Sequence, residues 1–207
     1  EAPVETRSLF DRFTDRTFAL INASYFFLIT AFSIMTYAFV LYTSFRYGYD
    51  AEQNGYLFAF VGVIAIIGQG ILFAPLARRF GEAKLTPVGC LIMAASLAIL
   101  PMIGPESGGV WALLGVCMTL SLGNAIASPS LTSLVSKVSH ESDQGRSMGI
   151  MQSGASLARA VGPIIGGVLL SNAFDRVDEM TIYRTFWTAA GIMLIAIAAS
   201  LFLRVKA

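Results

Sequence analysis

Arg159 stands inside the run 149–167, GIMQSGASLARAVGPIIGG, a stretch otherwise made of apolar, glycine and small polar residues. A guanidinium in hydrocarbon costs several kcal/mol unless it meets a partner, a cavity or a substrate path. It carries five N–H donors, more than helix packing alone satisfies. Arg159 is therefore the first functional lead in the chain.

Advancing about 100° per residue along a helix places Gly145, Gly149, Gln152, Ser156 and Pro163 on the same side as Arg159. Three other apolar stretches carry polar stripes of the same kind. One aligns Asn22, Tyr25, Ser33, Thr36 and Tyr37, a second Gly55, Gly62 and Gln69, and a third Ser121, Asn124, Ser128 and Thr132. Four striped helices would suit a bundle lining a wet cavity. The same residues also suit packing seams, because Gly, Ser and Thr let membrane helices approach and Asn or Gln can bond across them. Residue pattern alone leaves both readings open.

The elements that position these side chains follow from composition. The chain is 56% hydrophobic and 13% charged, against about 25% charged in an ordinary soluble domain. Mean hydropathy is +0.69, so the expected solvent is lipid. A net charge of +1 gives no basic face for nucleic acid. Six stretches reach the length of about 20 residues that a spanning helix needs, at 18–43, 54–76, 85–104, 109–136, 146–172 and 182–203. They are too long and too continuously apolar for barrel strands. The third and sixth contain little beyond aliphatics, Gly, Ala and scattered Ser or Thr, and are expected to face lipid.

Basic residues set the expected orientation. Arg7, Arg12, Arg16, Arg78, Arg79, Lys84, Lys137, Arg146, Arg204 and Lys206 fall on one side and only Arg46, Arg176 and Arg184 on the other. The positive-inside bias then puts both termini in the cytoplasm. Residues 1–16 read as a cytoplasmic linker whose Leu9, Phe10 and Phe13 lie along the membrane surface, ahead of a six-helix domain over 17–207. The start shows no signal-peptide pattern and reads as the beginning of a piece of something longer. Cys90 and Cys117 fall within spans, without the His or acidic neighbours of a metal site, and read as packing residues. No cofactor is implied.

Six helices, the loop LARRFGEAK and the segment HESDQGRSMGIMQSGASLARAVGPIIGG together resemble the C-terminal half of a major facilitator superfamily transporter, helices 7 to 12 of twelve. The likeness is strongest to the tetracycline-efflux-type drug:proton antiporters. The family's cytoplasmic loop reads G-x-L-A-D-R-x-G-R-K; Ala74, Leu76, Ala77, Arg79, Phe80, Gly81 and Lys84 follow its outline. Arg78 replaces its aspartate and Glu82 one of its bases. The antiporter signature G-x8-G-x3-G-P-x2-G-G is echoed by Gly149, Gly162, Pro163, Gly166 and Gly167, with Ala158 in place of one glycine. The resemblance implies an all-α membrane protein, a six-helix bundle forming one half of that fold. It implies Arg78, Arg79 and Gly81 in a gate, and Gly149, Gly162, Pro163, Gly166 and Gly167 in a pliant seam. The absent six-helix half, or a second copy of this chain, would be the partner.

On that resemblance the function is secondary transport, the export of small organic or drug-like molecules by alternating access in exchange for protons. Arg159 would bind an anionic substrate or pair with a carboxylate of the other half. Asn22, Gln69, Asn124 and Gln152 would orient substrate by hydrogen bonds, with Ser156 on the same polar face, and Tyr25 and Tyr37 would stack on an apolar ring. The setting would be a bacterial inner membrane. No Asp or Glu lies inside the spans and the single histidine, His140, is in a loop, so the proton carriers would belong to the other half. The same lack of acids and histidines argues against a membrane enzyme. Uniport or symport of another solute and a non-transporting scaffold of the same fold are the alternatives left open.

Overall fold

A computed structural model describes residues 15–171 and 177–203. Most of the linker at 1–16 and the basic residues Arg7, Arg12, Arg176, Arg204 and Lys206 lie outside that range. Among the described residues six helices are long and apolar enough to cross a membrane: α1 (Arg16–Tyr47), α2 (Ala51–Phe80), α3 (Glu82–Met102), α4 (Gly109–Val138), α5 (Gln144–Leu170) and α6 (Glu179–Leu201). No named strand occurs among the described residues.

Polar side chains at the helix ends explain the boundaries. Asp15 accepts a hydrogen bond from the Thr17 amide at 2.9 Å and starts α1. Gly48, at φ +66°, ends it in the left-handed conformation. Asp50 with Gln53, and Asp178 with Thr181, form reciprocal caps on α2 and α6. Gly81 adopts φ +78° between α2 and α3, where a side chain would be strained, so the two helices reverse without a longer loop. Within α2 the residues Gly68–Phe73 widen into a π-helix.

Glycines decide which helices pack most closely. A Cβ on Gly89 of α3 would stand 2.8 Å from the Gly123 carbonyl oxygen of α4, and one on Gly123 would stand 2.7 Å from Met93 Cγ. The two backbones therefore lie in direct contact, the small-residue seam usual between membrane helices. Ser96 and Thr119 add a hydroxyl pair at 2.9 Å across it. Around this seam α1 packs against α4, α5 and α6, and α6 also packs against α3. Ile34, Met93, Leu97, Phe186 and Ala189 fill the interior.

The third and sixth helices, expected to face lipid, leave only one side of each uncovered. Val88, Leu91, Ile99, Leu194 and Ile195 are exposed, yet Gly89, Met93, Leu97, Phe186 and Met193 are buried in the bundle. The helices with the barest flanks are α2 and α5. At the Gly48 end the bundle is tied by Tyr42, whose hydroxyl donates to the Ile103 carbonyl at 2.8 Å, and by Arg46, which pairs with Glu179 at 3.1 Å. Arg184 of α6 donates to the Leu169 and Ser171 carbonyls at the end of α5.

Candidate functional site

Near the middle of the bundle α1, α4 and α5 leave an open cavity of about 370 Å³. Tyr25, Phe32, Ser33 and Thr36 of α1 form one wall, Asn124 and Ser128 of α4 the second, and Arg159 of α5 the third. The volume falls in the range of about 300 to 1,000 Å³ that holds small organic ligands.

Local backbone chemistry positions Arg159. Pro163 has no N–H, so the carbonyl of Arg159, four residues before it, loses its helical donor. Ser33 of α1 supplies the replacement, its hydroxyl donating to that carbonyl at 3.5 Å. The approach depends on Gly162, because a Cβ there would collide with Ser33 and come within 3.1 Å of the Ile34 amide. One turn on, a Cβ at Gly166 would meet the Tyr37 ring at 3.0 Å. Gly162, Pro163 and Gly166 thus hold α5 against α1 with the Arg159 side chain turned to the cavity.

The cavity sets a few polar side chains in a largely apolar wall. Arg159 is exposed and, among the described residues, its guanidinium has no hydrogen bond or ion pair. The Asn124 side-chain oxygen is buried without a donor. A cation without an ion pair among the described residues, facing an open cavity, calls for a bound group or for solvent.

The structure brings together Tyr25, Asn124 and Arg159 of the residues expected from sequence, along with Ser33, Thr36 and Ser128 from the same stripes. Others lie elsewhere. Asn22 donates to the Phe18 carbonyl of its own helix at 2.8 Å and lines a separate cleft with Phe26 and Gly154. Tyr37 is half-exposed over Gly166 and Gly167. Gln69 is exposed on the π-helical part of α2. Gln152 and Ser156 are exposed on the flank of α5 beside, and not within, the cavity. Gly149 is open, with nothing within 4 Å of a built Cβ, so the glycine signature splits between a packed half at Gly162 and Gly166 and a bare half at Gly149.

Arg78 and Arg79 are exposed at the end of α2, Arg79 lying 5.3 Å from the centre of the Phe80 ring. The residue that replaces a base in the loop motif has its own partner. Glu82 accepts from Lys137 at 2.6 Å and from Ser133 at 3.0 Å, tying the start of α3 to the end of α4. The signal in the sequence for this pair is opposite charge at the same end of two spans.

Sequence reasoning also missed an apolar pocket of about 140 Å³ beside the cavity. Phe32 and Thr36 line both spaces, and Phe39, Phe58 and Cys117 are among the residues closing the smaller one. Phe39 and Phe58 meet edge to face at 5.6 Å. No polar marker distinguishes such residues from lipid-facing ones.

The chain is similar to known transport proteins. It is 25% identical over 175 residues to multidrug resistance protein 2 of Bacillus subtilis, covering 84% of this chain and 40% of that protein. It is 26% identical to the class H tetracycline resistance protein of Pasteurella multocida, covering 72% of this chain and 36% of that one. The human organic anion transporter MFSD10 superposes with a TM-score of 0.74 at 23% identity, over 88% of this chain and 40% of its own. That superposition shows a shared fold. The chain spans less than half the length of each of these relatives. The family described as Major Facilitator Superfamily matches at residues 2–151 and 118–207. Six spanning helices and this match make the chain part of an integral, multi-pass membrane protein. It belongs to the major facilitator superfamily.

Proposed function

We propose that the chain is the C-terminal six-helix half of a secondary transporter, moving a small organic solute by alternating access. The observation that carries this reading is the cavity between α1, α4 and α5, with the Arg159 guanidinium, unpaired among the described residues, at its wall. In parallel-repeat transporters the solute site lies near midplane between the two halves, and an ionisable group there marks the path.

The bare flanks of α2 and α5 favour a second six-helix unit. Ile66, Ile71, Leu157, Ile164 and Val168 are all exposed on them. In this arrangement residues 17–207 form the half-domain and 1–16 a cytoplasmic linker. The distribution of basic residues supports cytoplasmic termini in a bacterial inner membrane.

The names of the relatives, multidrug resistance and tetracycline resistance proteins, support export of drug-like molecules. Exchange for protons needs carboxylates from the partner half, since the acidic residues of the described helices, such as Glu52, Glu82 and Glu179, stand at helix ends. In this reading Arg78 and Arg79 change partners at a cytoplasmic gate, with Gly81 fixing the reversal beside them.

Flux into proteoliposomes of the full-length protein under an imposed pH gradient tests the reading. Accumulation of at least one compound from a chemically mixed panel, abolished when the gradient is collapsed, is the expected result. Folded protein that moves nothing would leave a scaffold of the same fold. Flux indifferent to the pH gradient would remove proton exchange and favour uniport or another ion.

A further inference from the structure

The larger cavity and the apolar pocket adjoin on α1, and together they make a two-part recess. Their common residues, Phe32 and Thr36, lie one turn apart on α1, about 6 Å along the helix. From there the pocket follows α1 to Phe39, away from the level of Ser33 and Arg159, and is closed by Phe58 of α2 and Cys117 of α4. At about 140 Å³ it matches the size of an apolar cavity known to stay dry and to take a benzene ring, about 150 Å³. One compartment offers a cation without an ion pair among the described residues; the next offers aromatic and aliphatic wall.

We infer that the recess selects amphiphilic organic acids, with the carboxylate at Arg159 and a single ring in the Phe39, Phe58 and Cys117 pocket. This rests on the cavity being a solute site and adds its chemical class. A cationic head would meet Arg159 in repulsion, and a neutral head would leave the guanidinium without a counter-charge. Solutes without a ring would leave the apolar pocket empty.

The test is equilibrium binding to the purified full-length protein, read by calorimetry and therefore independent of flux. The probes are 3-phenylpropionate, 5-phenylpentanoate and 8-phenyloctanoate, each compared with its amide, its amine counterpart and the alkanoate lacking the ring. At the best chain length the acid should bind at least 10-fold more tightly than each of the three. Arg159→Gln should erase the preference for acid over amide, and Arg159→Lys should restore part of it. Val61→Phe or Val116→Phe, each filling the pocket from a partly buried position, should erase the preference for the phenyl compound and leave the short alkanoate unchanged. Two variants guard against one that fails to fold, which thermal unfolding would reveal.

Amines or amides binding as tightly as acids would overturn the assignment, as would ring preference surviving both pocket-filling changes. If other compounds are transported while no phenylalkanoate binds, the class is wrong and the transport reading stands. If phenylalkanoates bind in this pattern and nothing is transported, the class stands and the transport reading fails.

Discussion

Helices α2 and α3 are both strongly apolar and adjacent in sequence, yet only 11% of the most apolar stretch of α2 is buried against 56% of that of α3. Apolarity put both in lipid and chose neither partner. The difference lies in where small residues coincide. Gly89 of α3 meets Gly123 of α4 backbone to backbone, whereas α2 reaches α4 closely at Gly68, whose built Cβ would stand 2.7 Å from Ala125 Cβ, and through the Ser121 hydroxyl, which donates to the Val61 carbonyl at 2.8 Å. Gly55, Gly62 and Gly70 of α2 face open space. A membrane helix with bare glycines and bare aliphatics has a surface to offer a second unit; one with filled glycines is already committed to its own bundle.

The largest test of this contrast is bulk at the two kinds of glycine. Gly123→Leu should cost about 3 kcal/mol or abolish folding, since backbone and Met93 leave it no room. Gly62→Leu should shift the unfolding midpoint by no more than ~0.5 kcal/mol, in keeping with an open position. Thermal unfolding in detergent reads both, and equal losses would erase the distinction between filled and open seams.

The same comparison within α5 gives a smaller effect. Gly162→Ala should destabilise by about 1–2 kcal/mol, because its methyl group displaces Ser33 from the Arg159 carbonyl. Gly149→Ala should leave stability unchanged within ~0.5 kcal/mol. A Gly149 variant as unstable as the Gly162 one would show that the open half of the signature is packed after all.

Arg159→Gln separates function from fold. The guanidinium has no partner among the described residues, so stability should change by less than ~0.5 kcal/mol while flux in proteoliposomes falls at least ~10-fold. Lost membrane expression would move Arg159 into the structural class. The smallest expected effect belongs to Glu82→Gln, which weakens the partly exposed pair with Lys137 by about 0.2–1 kcal/mol, read as a slight drop in unfolding midpoint that high salt mimics.

Much of the fold was legible because its signals are local. Length and apolarity placed all six spans within a few residues of helices such as Gly109–Val138 and Gln144–Leu170, and the capping residues Asp15, Asp50 and Asp178 account for earlier starts at α1, α2 and α6. For the site, helical phase brought Tyr25, Ser33 and Thr36 to one wall, with Asn124, Ser128 and Arg159 opposite, since each stripe is read along its own helix. What phase could not give is contact between helices. Asn22 satisfies itself on Phe18, Tyr37 covers Gly166, and the smaller pocket gathers mostly apolar residues from four elements that look like any lipid-facing set. The π-helical turn at Gly68–Phe73 has no local signature beyond its two glycines.

The central claim, that the space between α1, α4 and α5 is a solute path reached in turn from each side, is tested most directly at Ser128. A Ser128→Cys variant is read with Cys117, which lines the adjoining pocket, changed to Ala, while the native Cys90 is buried. Reaction with a membrane-impermeant maleimide in sealed, oriented vesicles should occur from either side, and a transported solute should slow it from both. Labelling from one side alone, or from neither, would contradict the account.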